Sequence, residues 1–91
     1  MIKSKRVLIS GSIQAVFFKQ FIKDEAEKVN VRGHVRGLED GKIEVFLEGD
    51  NVAVDNLVTL CRSNSRYAQV RSLELKDEKF QDSKDFKILK F

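Results

Sequence analysis

The residues that are best suited to bind or react with a ligand lie between Gly11 and Lys19, where a strand pattern changes to a helix pattern. The first amides of a helix lack intrahelical partners, and the helix dipole places positive charge at the same end. Such a turn can bind an anion through its backbone N–H groups. Lys19, just after a helix start expected near Phe18, would add a full positive charge. The segment predicts an anion site, although an ordinary strand–helix loop with a solvated lysine would show the same spacing.

Two other reactive residue types occur once each, as Cys61 and His34. Cys61 falls on an apolar helical stripe, which favours a small buried side chain over a reactive thiol. Metal sites and catalytic triads need partner side chains that the sequence does not offer to His34. We therefore expect His34 to lie on a strand surface without a catalytic role.

The elements that position these residues follow from changes in the hydrophobic period. Residues 7–13 alternate with period two, as a half-buried strand does, and residues 18–29 carry apolar side chains at helical spacing. Residues 31–38 and 43–47 return to period two, and Asp40-Gly41 between them predicts a hairpin turn. A strand, a helix and a β-hairpin are thus expected in that order.

The second half of the chain predicts another helix and two more strands. Asp50 or Asn51 can cap a helix whose apolar stripe lies within residues 54–61. Residues 70–75 suggest a strand with a bulge, because their apolar spacing is uneven, and residues 86–88 suggest a short last strand. Between these strands lies a charged connection, for which Phe80 is the expected anchor.

Up to residues 70–75 this order is βαββαβ, and it predicts an α+β fold in which two helices pack on one face of an antiparallel sheet. It is the ferredoxin-like arrangement, and we expect residues 1–91 to form one domain. Many unrelated functions share this fold, so the fold alone does not identify an activity.

The composition is that of an ordinary globular protein, with 42% hydrophobic and 34% charged residues. No run of apolar residues is long enough for a membrane span, and no apolar stretch follows the basic start as a secretory signal would require. A single cysteine excludes an intramolecular disulfide. We expect a cytoplasmic monomer, whose net charge of +3 mildly favours anionic partners.

Two spaced motifs resemble the signatures of the acylphosphatase family. The first family signature, Gly-x-Val-Gln-Gly-Val-x-Phe-Arg, is matched at Gly11, Gln14, Val16 and Phe18, with Ile13 in place of valine. The second, Gly-aromatic-Val-basic-Asn-x-x-x-Gly-x-Val with a later glycine, is matched at Gly33, Val35, Arg36, Gly41 and Gly49, with Ile43 in place of valine. The likeness extends over nearly the whole chain.

The resemblance implies hydrolysis of the carboxyl–phosphate bond of small acyl phosphates, without a metal or an organic cofactor. It implies a small anionic ligand as partner, and we expect neither nucleic acid nor membrane binding. The catalytic positions are Lys19 and Gly37. The implied phosphate-binding residues are Gln14, Ala15, Val16, Phe17, Phe18 and Lys19.

Three positions depart from the family pattern. Lys19 stands where the family has arginine, Gly37 where it has the asparagine that positions the attacking water, and Ala15 where it has a loop glycine. An ammonium cannot grip two phosphate oxygens as a guanidinium does. Losing a positioning group or a charge-stabilising donor costs roughly 10²–10³ in rate. We expect weak or absent catalysis, and the activity itself stays open.

Two alternative functions remain. The chain could be a non-catalytic anion-binding or regulatory module that keeps the phosphate loop. It could also bind RNA, since RNA-recognition domains share this element order and stack bases on strand aromatics. The alternate face of the predicted third strand reads Glu44, Phe46 and Glu48, and two carboxylates beside one ring should repel phosphates. RNA binding therefore ranks last.

Overall fold

A computed structural model describes residues 1–63 and 65–90 of the chain. Its elements, in chain order, are β1 (Ile2–Ile13), α1 (Ala15–Lys28), β2 (Arg32–Gly37), β3 (Ile43–Asp50), α2 (Asn51–Arg62), β4 (Ala68–Asp77) and β5 (Phe86–Ile88). The strands form one sheet in the order β4-β1-β3-β2-β5. The predicted ferredoxin-like α+β fold is confirmed. Neither described helix is long and apolar enough to cross a membrane.

The sheet differs from the prediction at one edge. The four long strands pair antiparallel, but β5 runs parallel to β2, with Gly33 opposite Phe86 and Val35 opposite Ile88. The connection after β4 carries the chain to the opposite edge of the sheet, where β5 enters in the direction of β2. Residues 88–90 consequently lie beside the start of α1.

The core lies between the helices and one face of the sheet. From α1 it receives Phe18, Ile22 and Ala26, and from α2 the predicted stripe Val54, Leu57, Val58 and Cys61. The sheet contributes alternate residues of its inner strands, among them Val7, Ile9, Val35, Ile43, Val45 and Leu47. Full burial of one large apolar side chain contributes about 1.5–3 kcal/mol. The predicted inward position of Val29 is wrong, because Val29 ends α1 and is 47% exposed.

The predicted bulge lies where β4 pairs with the end of β1. Ser10 faces Ser72 and Gly11 faces Val70, which leaves Arg71 unmatched. Gly11 has φ +153°, and a Cβ there would lie 2.1 Å from the carbonyl oxygen of Gln69, so the position requires glycine. A bulge bends and twists a strand. It therefore sets the direction in which β1 approaches the helix start.

The outer face of the sheet is covered at Phe46. The sequence left open whether this ring is exposed or lies under a loop, and the structure buries it completely. The Arg6 guanidinium lies 5.5 Å from the ring centroid, and the His34 ring stacks on Phe46 at 5.6 Å. The ring consequently has no exposed face on which a nucleic-acid base could stack.

A buried carboxylate, and not Phe80, anchors the connection between β4 and β5. Phe80 is 59% exposed, so the predicted anchor is wrong. Glu48 is fully buried, and its carboxylate accepts hydrogen bonds from the Ser4 hydroxyl at 2.7 Å and from the N–H groups of Gln81 at 2.7 Å and Ser83 at 2.8 Å. Buried charge is tolerated when it is hydrogen-bonded in this way.

Candidate active site

The first helix begins earlier than the sequence indicated, at Ala15 and not near Phe18. The Gln14 N–H donates to the Tyr67 carbonyl at 2.8 Å, and the Phe18 N–H donates to the Gln14 carbonyl at 2.9 Å. These two amides are used by the fold, and the Lys19 amide lies inside the helix ladder. Within residues 1–63 and 65–90, the amides of residues 15–17 have no acceptor. The backbone donors open to an anion are therefore those of Ala15, Val16 and Phe17.

Ala15 is the first residue of the helix and carries no backbone strain. Among the described non-glycine residues, only Asn30 and Asp82 have positive φ. The Cβ of Ala15 therefore meets no conformational penalty, and alanine is a favourable residue in a helix. Alanine at position 15 therefore does not distort this turn.

Lys19 and Gly37, the two predicted catalytic positions, lie next to each other in space. Lys19 follows Ala15 by one helical turn, and helical side chains lean toward the N-terminus of their helix. Gly37 is the last residue of β2. A Cβ built on Gly37 lies 4.0 Å from the Lys19 ammonium nitrogen and 3.9 Å from Ile43, both ordinary contact distances. The site therefore has room for a side chain at position 37.

The charge at this helix start is positive and uncompensated. The first turn of α1 contains no acidic residue. Some other lysines form ion pairs, as Lys3 does with Asp55 at 3.0 Å and Lys28 with Glu25 at 2.6 Å. No ion pair of Lys19 occurs within the described residues. An anion bound at the free amides would supply the missing partner.

The neighbouring polar residues of β2, His34 and Arg36, face away from the site, because adjacent residues of a strand lie on opposite faces of the sheet. Arg36 donates from Nε to Glu44 at 2.9 Å, and His34 Nε2 lies 3.7 Å from the same carboxylate. Burial lowers the pKa of His34, and the nearby Glu44 carboxylate only partly offsets this effect. Neither side chain lies on the face of the sheet to which position 37 belongs.

The thiol of Cys61 takes no part in the site. Cys61 is fully buried in α2, and burial raises its pKa to about 12. The reactive form of cysteine is the thiolate. The predicted role of Cys61 as a small buried side chain is confirmed.

Tyr67 supports the site, and sequence reasoning did not identify it. Its carbonyl holds the Gln14 amide, its ring stacks on Phe17 with centroids 6.0 Å apart, and it tilts against Phe21 at 5.7 Å. Tyr67 precedes β4 and is distant from Gln14 in sequence. Only the pairing of β1 with β4 reveals their contact, so no local pattern could have found it.

The end of the described chain also contributes to the site. The Leu89 N–H donates to the Val35 carbonyl at 2.9 Å, which continues the alignment of β5 along β2. A groove of about 720 Å³ lies between this segment and the first turns of α1. It is lined by Val16, Phe17, Lys19, Gln20, Ile88, Leu89 and Lys90.

Comparisons with known proteins agree on one family. The chain matches the model of the Acylphosphatase family over residues 5–88. It is 41% identical over 76 residues to an acylphosphatase of Rubrobacter xylanophilus, covering 84% of this chain and 69% of that protein. It is 35% identical to an acylphosphatase of Alkalilimnicola ehrlichii, covering 98% of this chain and all of that protein. The crystal structure of acylphosphatase from Bacillus subtilis superposes with a TM-score of 0.89 at 25% identity, covering 99% of this chain and 100% of that one.

Proposed function

Because this chain belongs to the acylphosphatase family, we propose that it binds the phosphate of small acyl phosphates at the first turn of α1 and hydrolyses their carboxyl–phosphate bond slowly. The observation that carries the proposal is the position of the Lys19 ammonium, 4.0 Å from the Cβ position of Gly37 and without an ion pair among the described residues. The amides of residues 15–17, which have no acceptor in the described chain, add hydrogen-bond donors at the same helix start.

In the proposed reaction, these donors hold the non-bridging oxygens of the phosphate. The oxygen of a water molecule bonds to phosphorus while the bond from phosphorus to the acyl oxygen breaks, and the acyl group leaves as a carboxylate. Fixed donors aimed at developing negative charge stabilise such a transition state. Hydrogen bonds from amides and from an ammonium to phosphate are charge-assisted and short. The amides of residues 15–17 and the Lys19 ammonium therefore both bind the phosphate and stabilise the negative charge of the transition state.

Slow turnover follows from the side chains at positions 19 and 37. Lys19 presents a point charge where a guanidinium would bind two oxygens, and Gly37 has no amide with which to orient the water. Each loss corresponds to roughly 10²–10³ in rate, although the two effects need not add. The proposed site contains Gln14 and Phe18 as well, whose backbone groups build the turn.

We propose further that residues 1–91 act as one cytoplasmic, monomeric domain without a cofactor, and that nucleic acid is not a ligand. The single, buried cysteine is compatible with a reducing compartment. The covered ring of Phe46 gives no stacking platform for bases, which supports an anion of small size as the ligand.

The test is steady-state hydrolysis of acetyl phosphate by the wild type, Lys19→Arg, Gly37→Asn and the double variant. We expect the double variant to raise kcat/KM about 10²-fold or more. Lys23→Arg, one turn further along α1, and Gly41→Asn, in the hairpin turn, are matched controls and should leave kcat/KM unchanged, although asparagine at φ +86° strains that turn. A double variant that binds phosphate but stays at background turnover contradicts the proposed hydrolase.

A non-catalytic anion-binding module is the second candidate, and one observation favours it. Gly37 contributes no polar side chain beside Lys19, so the site is better equipped to hold an anion than to position a water. This candidate predicts phosphate binding by the wild type with no turnover of any acyl phosphate. Measurable wild-type hydrolysis that Lys19→Gln abolishes would exclude it.

A further inference from the structure

Resting on the proposed function, we propose that the groove beside the phosphate site binds the acyl group, and that the preferred substrates are acyl phosphates with an apolar acyl group of several carbons. The groove, of about 720 Å³, borders the helix start that carries the free amides. Val16 and Phe17 belong to both features, since their amides face the anion site and their side chains line the groove. In an acyl phosphate, a single oxygen joins the phosphate to the acyl group. The phosphate site and the groove are likewise direct neighbours, so one molecule can occupy both.

The chemistry of the lining selects an anion with an apolar tail. Its apolar residues are Val16, Phe17, Ile88 and Leu89. Among residues 1–63 and 65–90, the charged residues of this lining are Lys19 and Lys90, and no carboxylate side chain lines it. Such a lining repels cations and gains little from a polar acyl group, because only Gln20 offers an amide. A phosphate head with an aliphatic or aromatic tail complements both parts.

The apolar residues of this groove are exposed, so a ligand can bury them. Val16 is 75% exposed, Phe17 60% and Ile88 37%. Soluble proteins rarely expose large contiguous apolar patches, and such patches often mark binding sites. The stacking of Phe17 on Tyr67 fixes the ring before a ligand arrives, which reduces the entropic cost of binding.

A second groove in the molecule shows that exposure alone does not select this ligand. It lies between the two helices, measures about 390 Å³, and exposes Val29 and Val52. Its charged lining residues are Glu25 and Asp50, both acidic, and no lysine of the described part of the chain lines it. An anion would be repelled there, so the acyl phosphate is assigned to the groove beside Lys19.

The test uses alkylphosphonates, which keep the anionic head but cannot be hydrolysed at a carboxyl–phosphate bond. Dissociation constants of methyl-, propyl- and pentylphosphonate are measured by amide-resolved NMR titration of the full chain. We expect binding to tighten about two- to fourfold per added methylene. Phe17→Ala and Leu89→Ser should flatten this dependence on chain length, whereas Val52→Ala, in the groove between the helices, should leave it unchanged.

Each outcome is decisive. If methylphosphonate binds but pentylphosphonate binds no more tightly, the acyl groove is wrong and the phosphate site stands. If no phosphonate binds at the amides of residues 15–17, the phosphate site and the proposed function fail first. A chain-length gain that survives both groove variants places the tail elsewhere and overturns the assignment. A dimer abolished by Phe17→Ala would also overturn it, because a second copy would then cover the groove.

Discussion

At the start of α2, the carboxylate of Asp50 accepts hydrogen bonds from the N–H groups of Val52 at 3.1 Å and Ala53 at 3.2 Å. At the start of α1, Gln14 makes no such side-chain bond, and the next amides remain without acceptors in the described chain. A capping carboxylate stabilises a helix by about 1 kcal/mol. The first helix forgoes that stability, and its open amides are available to a ligand. The two helix starts therefore differ in whether a side chain of the protein already occupies the free amides.

A second contrast, between two charged side chains, supports the same conclusion. Glu48 lies inside the protein and accepts from Ser4, Gln81 and Ser83, so its charge is fully used by the fold. Lys19 is half-buried beside Gly37 and has no carboxylate partner among the described residues. The first charge stabilises the structure, whereas the second is the charge that we propose to bind an external anion.

The largest expected effect is on stability, at the satisfied charge. Glu48→Gln should lower the free energy of unfolding by about 2–3 kcal/mol, because an amide group then faces backbone N–H donors that need an acceptor. Urea denaturation measures this loss, and Glu74→Gln on the exposed surface of β4 is the control. Phosphate affinity should stay within about twofold. If Glu48→Gln instead loses phosphate binding and keeps its stability, Glu48 serves the ligand site and not the fold.

The same carboxylate predicts the acid sensitivity of the fold. Burial alone would raise the pKa of Glu48, but hydrogen bonds from Gln81, Ser4 and Ser83 outweigh it and hold the pKa below its ordinary value of 4.5. The unfolded chain therefore takes up this proton first as the pH falls. The stabilisation is complete above about pH 5 and is lost through the lowered pKa, with a slope of up to about 1.4 kcal/mol per pH unit. This pH dependence of the unfolding free energy should be missing in Glu48→Gln. If the wild type and the variant show the same slope against pH, Glu48 is not its source.

Closing the open helix start should have the next largest effect. Gln14→Asp places a carboxylate at the amides of residues 15–17, where it repels an incoming phosphate and competes for its donors. We expect phosphate affinity to fall about 30-fold, while unfolding free energy rises by about 0.5–1 kcal/mol. Asn56→Asp, on the exposed surface of α2, adds the same charge away from the site. Equal affinity in the two variants would show that phosphate does not use this helix start.

Opening the closed helix start should have the smallest effect. Asp50→Ala removes the acceptor for the Val52 and Ala53 amides and should cost about 1 kcal/mol of unfolding free energy. The lysine near this end of α2, Lys3, is already paired with Asp55 at 3.0 Å, so phosphate should not bind there. Thermal denaturation measures the loss of stability, and a phosphate titration shows whether phosphate binds at the start of α2. Phosphate binding at the uncapped α2 would show that free amides alone make the site.

The elements that the sequence specified well are those with a strong period. Alternation over residues 7–13 and the stripe through Ile22 and Ala26 predicted β1 and α1, since each places its apolar side chains on one buried face. The start of α1 was placed too late because Val16 and Phe17 are apolar but exposed, and so they break the helical pattern. The bulge was visible because an extra residue, Arg71, shifts the alternation of β4.

What the sequence could not provide depends on contacts between distant segments. Alternation turned Phe46 and Glu48 toward the outer face, but only the later connection and its neighbours bury them there. The approach of Lys19 to Gly37 came from the family resemblance, because no local rule joins a helix start to the end of β2. The groove depends on the parallel pairing of β5 with β2, which no hydrophobic pattern encodes.

A phosphate titration of the ¹⁵N-labelled protein, followed amide by amide, tests most directly whether the open start of α1 is an anion site. Saturable shifts are expected at the amides of residues 15–17, with about tenfold weaker binding in Lys19→Gln and unchanged binding in Lys23→Gln. The amides of Val52 and Ala53, already bonded to Asp50, should not respond. If residues 15–17 show no saturable shift, or if Lys19→Gln binds phosphate as the wild type does, the anion site at α1 is contradicted.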